Sequence, residues 1–217
     1  DKNGTIITDH KDISQEIHSF YKNLFSDSPI REDLLENLNI NLPKLDDQDL
    51  AITEQLISEK ECLNALKDMQ NGKTPGIDGF SADFYKFFWK NIKLLVIESL
   101  NYAFQVEKMS NDQRIGIITL IPKKDKIRLY LKNWRPITLL TIDYKLIAKS
   151  LALRLETILP HFISENQFGY VKDRYIGENI RCVSDIYDLC ILNNVPAFAL
   201  QIDFHKAFDS VNWTFMY

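Results

Sequence analysis

Residues 196–211, reading PAFALQIDFHKAFDSV, set the tightest limit on the fold. Phe198, Leu200 and Ile202 alternate with Ala197, Ala199 and Gln201, the two-residue period of a strand. Pro196, after the Asn193-Asn194 pair, punctuates its start. The spacing predicts a short buried strand that gives out at Asp203, followed by the first turns of a helix from Ala207 to Tyr217. A carboxylate at a strand end suits a hard cation such as Mg²⁺. It equally suits a structural turn, and Asp209 reads as a helix-start residue favoured by the dipole.

A phosphatase of the haloacid-dehalogenase type would need a second Asp two residues after the first, and His205 stands there. The remaining signals come from the rest of the chain. Its 217 residues are 45% hydrophobic and 26% charged, ordinary for a globular protein with a sizeable core. The net charge of −4 argues against a uniformly basic nucleic-acid binder. The distribution points elsewhere. Residues 1–70 carry 7 Lys/Arg against 15 Asp/Glu, whereas residues 110–154 carry 10 against 3, the pattern of a local polyanion site. Cys62, Cys182 and Cys190 have no zinc-ligand spacing, and their odd number suits a reducing compartment. No apolar run approaches the roughly 18 residues of a membrane span. The chain starts at Asp1 and stops at Tyr217 inside a helical pattern, so a fragment of a longer polypeptide is expected.

Ile13, Ile17, Phe20, Tyr21, Leu24 and Phe25 fall at helical spacing over 12–25, closed by Ser26-Asp27-Ser28-Pro29. Residues 30–56 are acidic and read as short helices and loops, with Leu45-Asp46-Asp47 a solvated loop. Ser58-Glu59-Lys60-Glu61 is a capping box, with Ile57 placed to staple onto Cys62, for a helix running to about Gln70. Asn71 to Gly79 holds three glycines and a proline, a tight loop able to cradle phosphate or strand backbone, although it lacks the order of a P-loop. Ser81 caps a long helix with Phe84, Tyr85, Phe88, Ile92, Leu95, Ser99 and Ala103 along one side. At that spacing Phe84, Tyr85, Phe87, Phe88 and Trp89 read as core in preference to a base-stacking platform. Ile115–Ile121 and Asn133–Leu140 read as two strands of a hairpin, and six cations against one acid lie between Lys123 and Arg135. Such a tip is either a solvated face or a clamp for triphosphate or phosphodiester. Thr141 begins a helix through Asp143, Leu146, Ile147, Leu151, Leu155 and Ile158 that Pro160 is expected to end. A loop with Gln167-Phe168-Gly169-Tyr170 and the cations Lys172 and Arg174 leads to a helix over 177–192.

Four blocks in order then resemble the reverse transcriptase of non-LTR, LINE-type retrotransposons. Gly72-Lys73-Thr74-Pro75-Gly76-Ile77-Asp78-Gly79-Phe80 resembles the block before the fingers. Leu120-Ile121-Pro122-Lys123-Lys124 with Asn133-Trp134-Arg135-Pro136-Ile137 resembles the fingers hairpin. Gln167-Phe168-Gly169-Tyr170 resembles the short block that follows, and Ile202-Asp203-Phe204-His205-Lys206-Ala207-Phe208-Asp209 the first catalytic palm motif. The resemblance covers residues 57–217. Residues 1–56 resemble, less specifically, the extension before the polymerase.

The resemblance implies an α+β fold: the fingers and start of palm of a right-hand polymerase, helix-rich, with a fingers hairpin and an incomplete palm sheet. It implies that Asp203 is catalytic and, with the backbone carbonyl of Phe204, binds metal. Two Mg²⁺ ions would lower the pKa of the primer 3′-OH and stabilise the pyrophosphate leaving group. Lys123 and Arg135 would hold the incoming triphosphate, and Phe208 would stack under the nucleotide sugar. Lys124, Lys172 and Arg174 would touch nucleic-acid backbone. The implied partners are an RNA template, a DNA primer, dNTP and the remainder of a retrotransposon polyprotein, with no membrane, in the cytoplasm and nucleus. One departure stands out. The family's second palm motif, an aromatic, any residue, then Asp-Asp, is absent from residues 1–217. The expectation is therefore a chain truncated before that motif, inactive alone and poorly soluble or only partly folded. The rival readings are an inactive retroelement remnant and a non-catalytic RNA-binding module.

Overall fold

The computed structural model describes residues 6–26, 44–204, 207–209 and 211–212. They divide into two compact units. One comprises the described residues within 1–42, 121–135 and 196–217; the other comprises those within 43–120 and 136–195. In the first unit, α1 (His10–Leu24) starts where the Asp9 carboxylate accepts the backbone N–H of Lys11 and Asp12. Its rings stack along one side, Tyr21 lying 5.9 Å from Phe25 between ring centres. The expected stop at Ser26 to Pro29 runs into residues outside the described ones.

The second unit is helical, and capping residues set its starts. Asp46 caps α2 (Asp47–Glu54), accepting the N–H of Asp49 at 2.8 Å. The Leu45-Asp46-Asp47 stretch is thus a helix start instead of a solvated loop. Ser58 and Glu61 form the expected box on α3 (Glu59–Asp68), and Ser81 caps α4 (Ala82–Gln105). A second box, Ser110 with Gln113, opens the single turn α5 (Asn111–Arg114), and Thr141 caps α6 (Ile142–Phe162). Helix α6 is the hub, since α2, α3, α4 and α5 all pack on it. The core joins Ile57, Cys62, Ala65 and Leu66 to Tyr85, Trp89, Val96 and Leu100 and to Ile142 and Leu146. Ile57 and Cys62 meet there as the staple requires.

Two expectations about buried faces hold only in part: Tyr85 and Ala103 on α4 and Leu146 and Ile158 on α6 are buried as expected. On α4 the buried stripe is Ala82, Tyr85, Trp89, Val96, Leu100 and Ala103, while Leu95 is 71% exposed. On α6 it is Ile142, Leu146, Ser150, Arg154 and Ile158, spaced by four, while Leu155 faces out. Both helices are apolar over more than one face, so periodicity alone could not choose between neighbouring stripes. Pro160 sits inside α6, not at its end. It removes one N–H in the last turns, where the helix still closes with the Ile163 N–H on Leu159.

The antiparallel hairpin pairs β1 (Ile117–Pro122) with β2 (Trp134–Leu139), a two-stranded sheet. Helix α7 (Ile176–Leu192) matches the expected span, and none of its residues is buried.

Candidate nucleotide and nucleic-acid interface

Three close contacts build the root of the hairpin. Gly76, in the glycine-rich loop, lies so near β2 that a Cβ there would stand 2.6 Å from the Thr141 nitrogen and 2.7 Å from the Leu140 carbonyl carbon. Gly116 precedes β1 against the Thr138 and Leu140 side chains, with a Cβ only 2.5 Å from Thr138 Cγ2. Between them, Thr141 Oγ1 donates to the Gln113 carbonyl at 3.2 Å. Gln113 Nε2 in turn donates to Asp143 Oδ2 at 3.1 Å, and the Tyr85 hydroxyl donates to Asp143 Oδ1 at 2.7 Å. Burial, then the Asp143 hydrogen bond and charge, pushes the Tyr85 phenol far up. The glycine-rich loop therefore serves the joint, and two of its glycines take left-handed backbone at φ 67° and 76° (Gly72 and Gly79). The Gly72 N–H donates to Asp83 at 2.8 Å.

The hairpin tip is ordered by its own side chains. Ladder pairing continues with Lys123 N–H on the Asn133 carbonyl at 2.8 Å. Asn133 Nδ2 holds the Ile127 carbonyl and Trp134 Nε1 the Arg128 carbonyl, each at 2.8 Å. Lys123 Nζ donates to the Lys132 carbonyl at 2.9 Å, so its ammonium spans the tip. The Lys124 and Arg135 side chains are exposed and carry no hydrogen bond or ion pair among the described residues.

Lys172 is exposed on a loop bent by left-handed backbone at Tyr170 and Asp173, φ 62° and 61°. Arg174 staples that loop: Nη2 donates to the Ile163 carbonyl at 3.0 Å, and Nη1 to the carbonyls of Gln167, at 2.7 Å, and Ser164. Lys172 and Arg174 belong to the second unit. Lys123, Lys124, Arg135, Asp203, Phe204 and Phe208 belong to the first.

The buried strand expected over 197–202 is not formed. These residues run as irregular, exposed backbone, with Phe198 at 93% and Ile202 at 73% exposure. Among the described residues no strand lies alongside to accept its ladder bonds, and a single strand without a neighbour has no reason to stay extended. The helix expected from Ala207 is not seen among the described residues: 207–209 form a turn and 211–212 are irregular, while His205, Lys206, Ser210 and 213–217 lie outside the described residues. Asp203, Phe204 and Phe208 are all exposed. Asp203 offers oxygen of the type Mg²⁺ takes, but among the described residues no three His, Cys, Asp or Glu gather to hold an ion. The donor type fits and the donor number does not.

Sequence reasoning missed Arg154. Its guanidinium, 5% exposed, meets Glu61 through Nε at 2.6 Å and Nη2 at 3.1 Å, and donates to the carbonyls of Thr53, Gln55 and Leu56. Burial would raise the Glu61 carboxyl. Arg154 and the Ser58 backbone and hydroxyl outweigh it and hold the group down at about 2. The signal was a charge placed in the four-residue stripe of α6. Asn101 was missed too, its side-chain amide pairing with both backbone groups of Ile57 at 2.7 and 2.9 Å.

Residues 121–217 match the profile of the family described as reverse transcriptase (RNA-dependent DNA polymerase). Over that stretch the chain is similar to the reverse transcriptase family. It is 34% identical over 215 residues to a Xenopus laevis protein named Transposon TX1 uncharacterized 149 kDa protein. That alignment covers 99% of this chain, and the chain spans 16% of the length of this curated relative. The matched stretch contains three of the four blocks that resemble a reverse transcriptase, those at 120–137 (from Ile121 on), 167–170 and 202–209. No described helix is long and apolar enough to cross a membrane.

Proposed function

We propose that residues 57–217 are the fingers and first palm segment of an RNA-directed DNA polymerase acting on an RNA template, a DNA primer and dNTP, with residues 1–56 as its N-terminal extension. The observation that carries this is the hairpin tip. Its loop is fixed by three side-chain bonds to backbone, and among the described residues the exposed side chains of Lys124 and Arg135 have no hydrogen-bond or ion-pair partner, inside the stretch that matches the family. A fixed loop with free cations loses little entropy when it captures phosphate.

Arg135 contacts the triphosphate through its planar fork, and Lys123 adds a point charge by exchanging its bond to the Lys132 carbonyl for phosphate. Lys124 and Lys172 meet nucleic-acid backbone. Arg174 contributes there by shaping the loop that carries Lys172, besides any contact of its own. Phe208 packs under the nucleotide sugar. Asp203 and the Phe204 carbonyl are this chain's share of a site for two Mg²⁺ ions, which needs further carboxylates from the rest of the polyprotein. When bound, those ions supply Lewis acidity at the primer hydroxyl and the phosphates.

Primer extension by the full-length polypeptide tests the assignment. Arg135→Ala raises KM for dNTP more than it weakens template binding; the opposite pattern would reassign Arg135 to backbone contact. Asp203→Ala abolishes extension and leaves RNA affinity nearly unchanged. An equal fall in affinity would sink the metal role and favour a binding module.

A further inference from the structure

We propose that Asp143 is a positioning residue for nucleotide binding, acting through the root of the hairpin; this rests on the nucleotide-binding reading of the hairpin given above. Asp143 lies in neither strand. It sits one residue into α6 and receives the Tyr85 hydroxyl from α4 and the Gln113 amide from α5. Gln113 stands four residues before β1, and its carbonyl takes the hydroxyl of Thr141, two residues after β2. One carboxylate therefore ties together the segment that enters the hairpin and the segment that leaves it, and anchors both to α4.

Two further observations make this a built joint instead of a chance network. Gly76 and Gly116 pack against residues 138–141 at distances where a methyl group would collide. Thr141 is 2% and Tyr85 6% exposed, so their hydroxyl ends are shielded from competing water, while Gln113 and Asp143 are half-buried. Each strand continues from this joint directly to the residues that carry cations, Lys123 just past β1 and Arg135 within β2. A strand pair fixed at its root has a fixed twist and register along its own length, and Arg135 lies within β2. Loosening the root misaims Arg135 without removing any phosphate ligand, an orientation loss of the kind that small displacements bring.

The test uses the full-length polypeptide and three variants. Gln113→Glu keeps the acceptor that caps Ser110 but sets a carboxylate against Asp143. Tyr85→Phe removes the hydroxyl and keeps the packing, and Asp143→Asn removes the charge. Amide exchange over 117–122 and 134–139 is read beside steady-state primer extension. The expectation is faster exchange in both strands and a KM for dNTP raised about five-fold, what one lost hydrogen bond is worth, with kcat and template affinity near the parent. In the Arg135→Ala background the same substitutions add little, because the group they aim is gone. Unchanged exchange in folded Gln113→Glu and Tyr85→Phe overturns the joint itself. Faster exchange with an unchanged KM, where Arg135→Ala does raise it, overturns the positioning role and leaves only a structural one. If Arg135→Ala leaves KM unmoved, the fault lies in the nucleotide-binding reading, whatever the exchange shows.

Discussion

Arg154 brings a guanidinium into a helical core, which is tolerable only because Glu61 and three carbonyls take its donors. Arg154→Ala leaves the Glu61 carboxylate without its cation and those carbonyls without the guanidinium donors, and urea denaturation should show a loss of about 3–5 kcal/mol. The pH dependence has a definite sign. The Glu61 pKa is lowered on folding from its ordinary 4.5 to about 2, so its contribution is full above about 4.5 and fades as pH falls toward 2. Glu61→Gln should flatten that part of the stability curve, and an unchanged slope would place the acid sensitivity elsewhere. Cysteine chemistry divides in the same local way. Cys62 is fully buried, and burial followed by the Glu61 charge pushes its thiol up to about 11, while Cys182 is exposed. Iodoacetamide at neutral pH should label Cys182 in the native protein and reach Cys62 only after unfolding.

At the scale of elements, the hairpin is tied at its root by the close approach of Gly76 and Gly116 and the Thr141 hydrogen bond, and within its tip by its loop. Gly76→Ala tests the tie at the root. The new methyl meets backbone at 2.6–2.8 Å, which only a shift of the loop or of the start of α6 relieves. A loss of about 1–3 kcal/mol is expected in thermal or urea melting, and a neutral result would mean that the two segments are not in contact in solution. Local sequence told where the elements begin. Ser58 with Glu61, Ser81 and Thr141 satisfy backbone donors within three residues of themselves, so their meaning needs no distant partner.

At the scale of the whole molecule the conspicuous feature is apolar surface. Helix α7, in the second unit, carries Ile180, Val183, Ile186, Tyr187 and Leu189, all more than half exposed; in the first unit Phe198, Leu200 and Ile202 are exposed too. Apolar exposure on this scale is the surface of an interaction or an aggregation liability. The 217-residue chain by itself should bind the dye ANS and self-associate in light scattering. Ile180→Lys with Tyr187→Lys should reduce both while leaving the melting of the α2–α6 core unchanged, because no described core residue belongs to α7. A large fall in melting temperature would show instead that α7 is packed.

Asp203, the first residue singled out, marks the limit of what sequence can decide. The caps, the hairpin with its basic tip and the family blocks were legible because each depends on neighbours a few residues apart. The strand over 197–202 was not, because a strand exists only through hydrogen bonds to another strand, and its alternating pattern says nothing about whether that partner is present. The buried faces of α4 and α6, the guanidinium of Arg154 inside the core and the convergence of Gln113, Thr141 and Asp143 on one joint were likewise decided in three dimensions. Each pairs residues that sequence separates, Arg154 with Glu61 and Tyr85 with Asp143. Local chemistry fixed where the elements start; only packing decided which side of each faced inward.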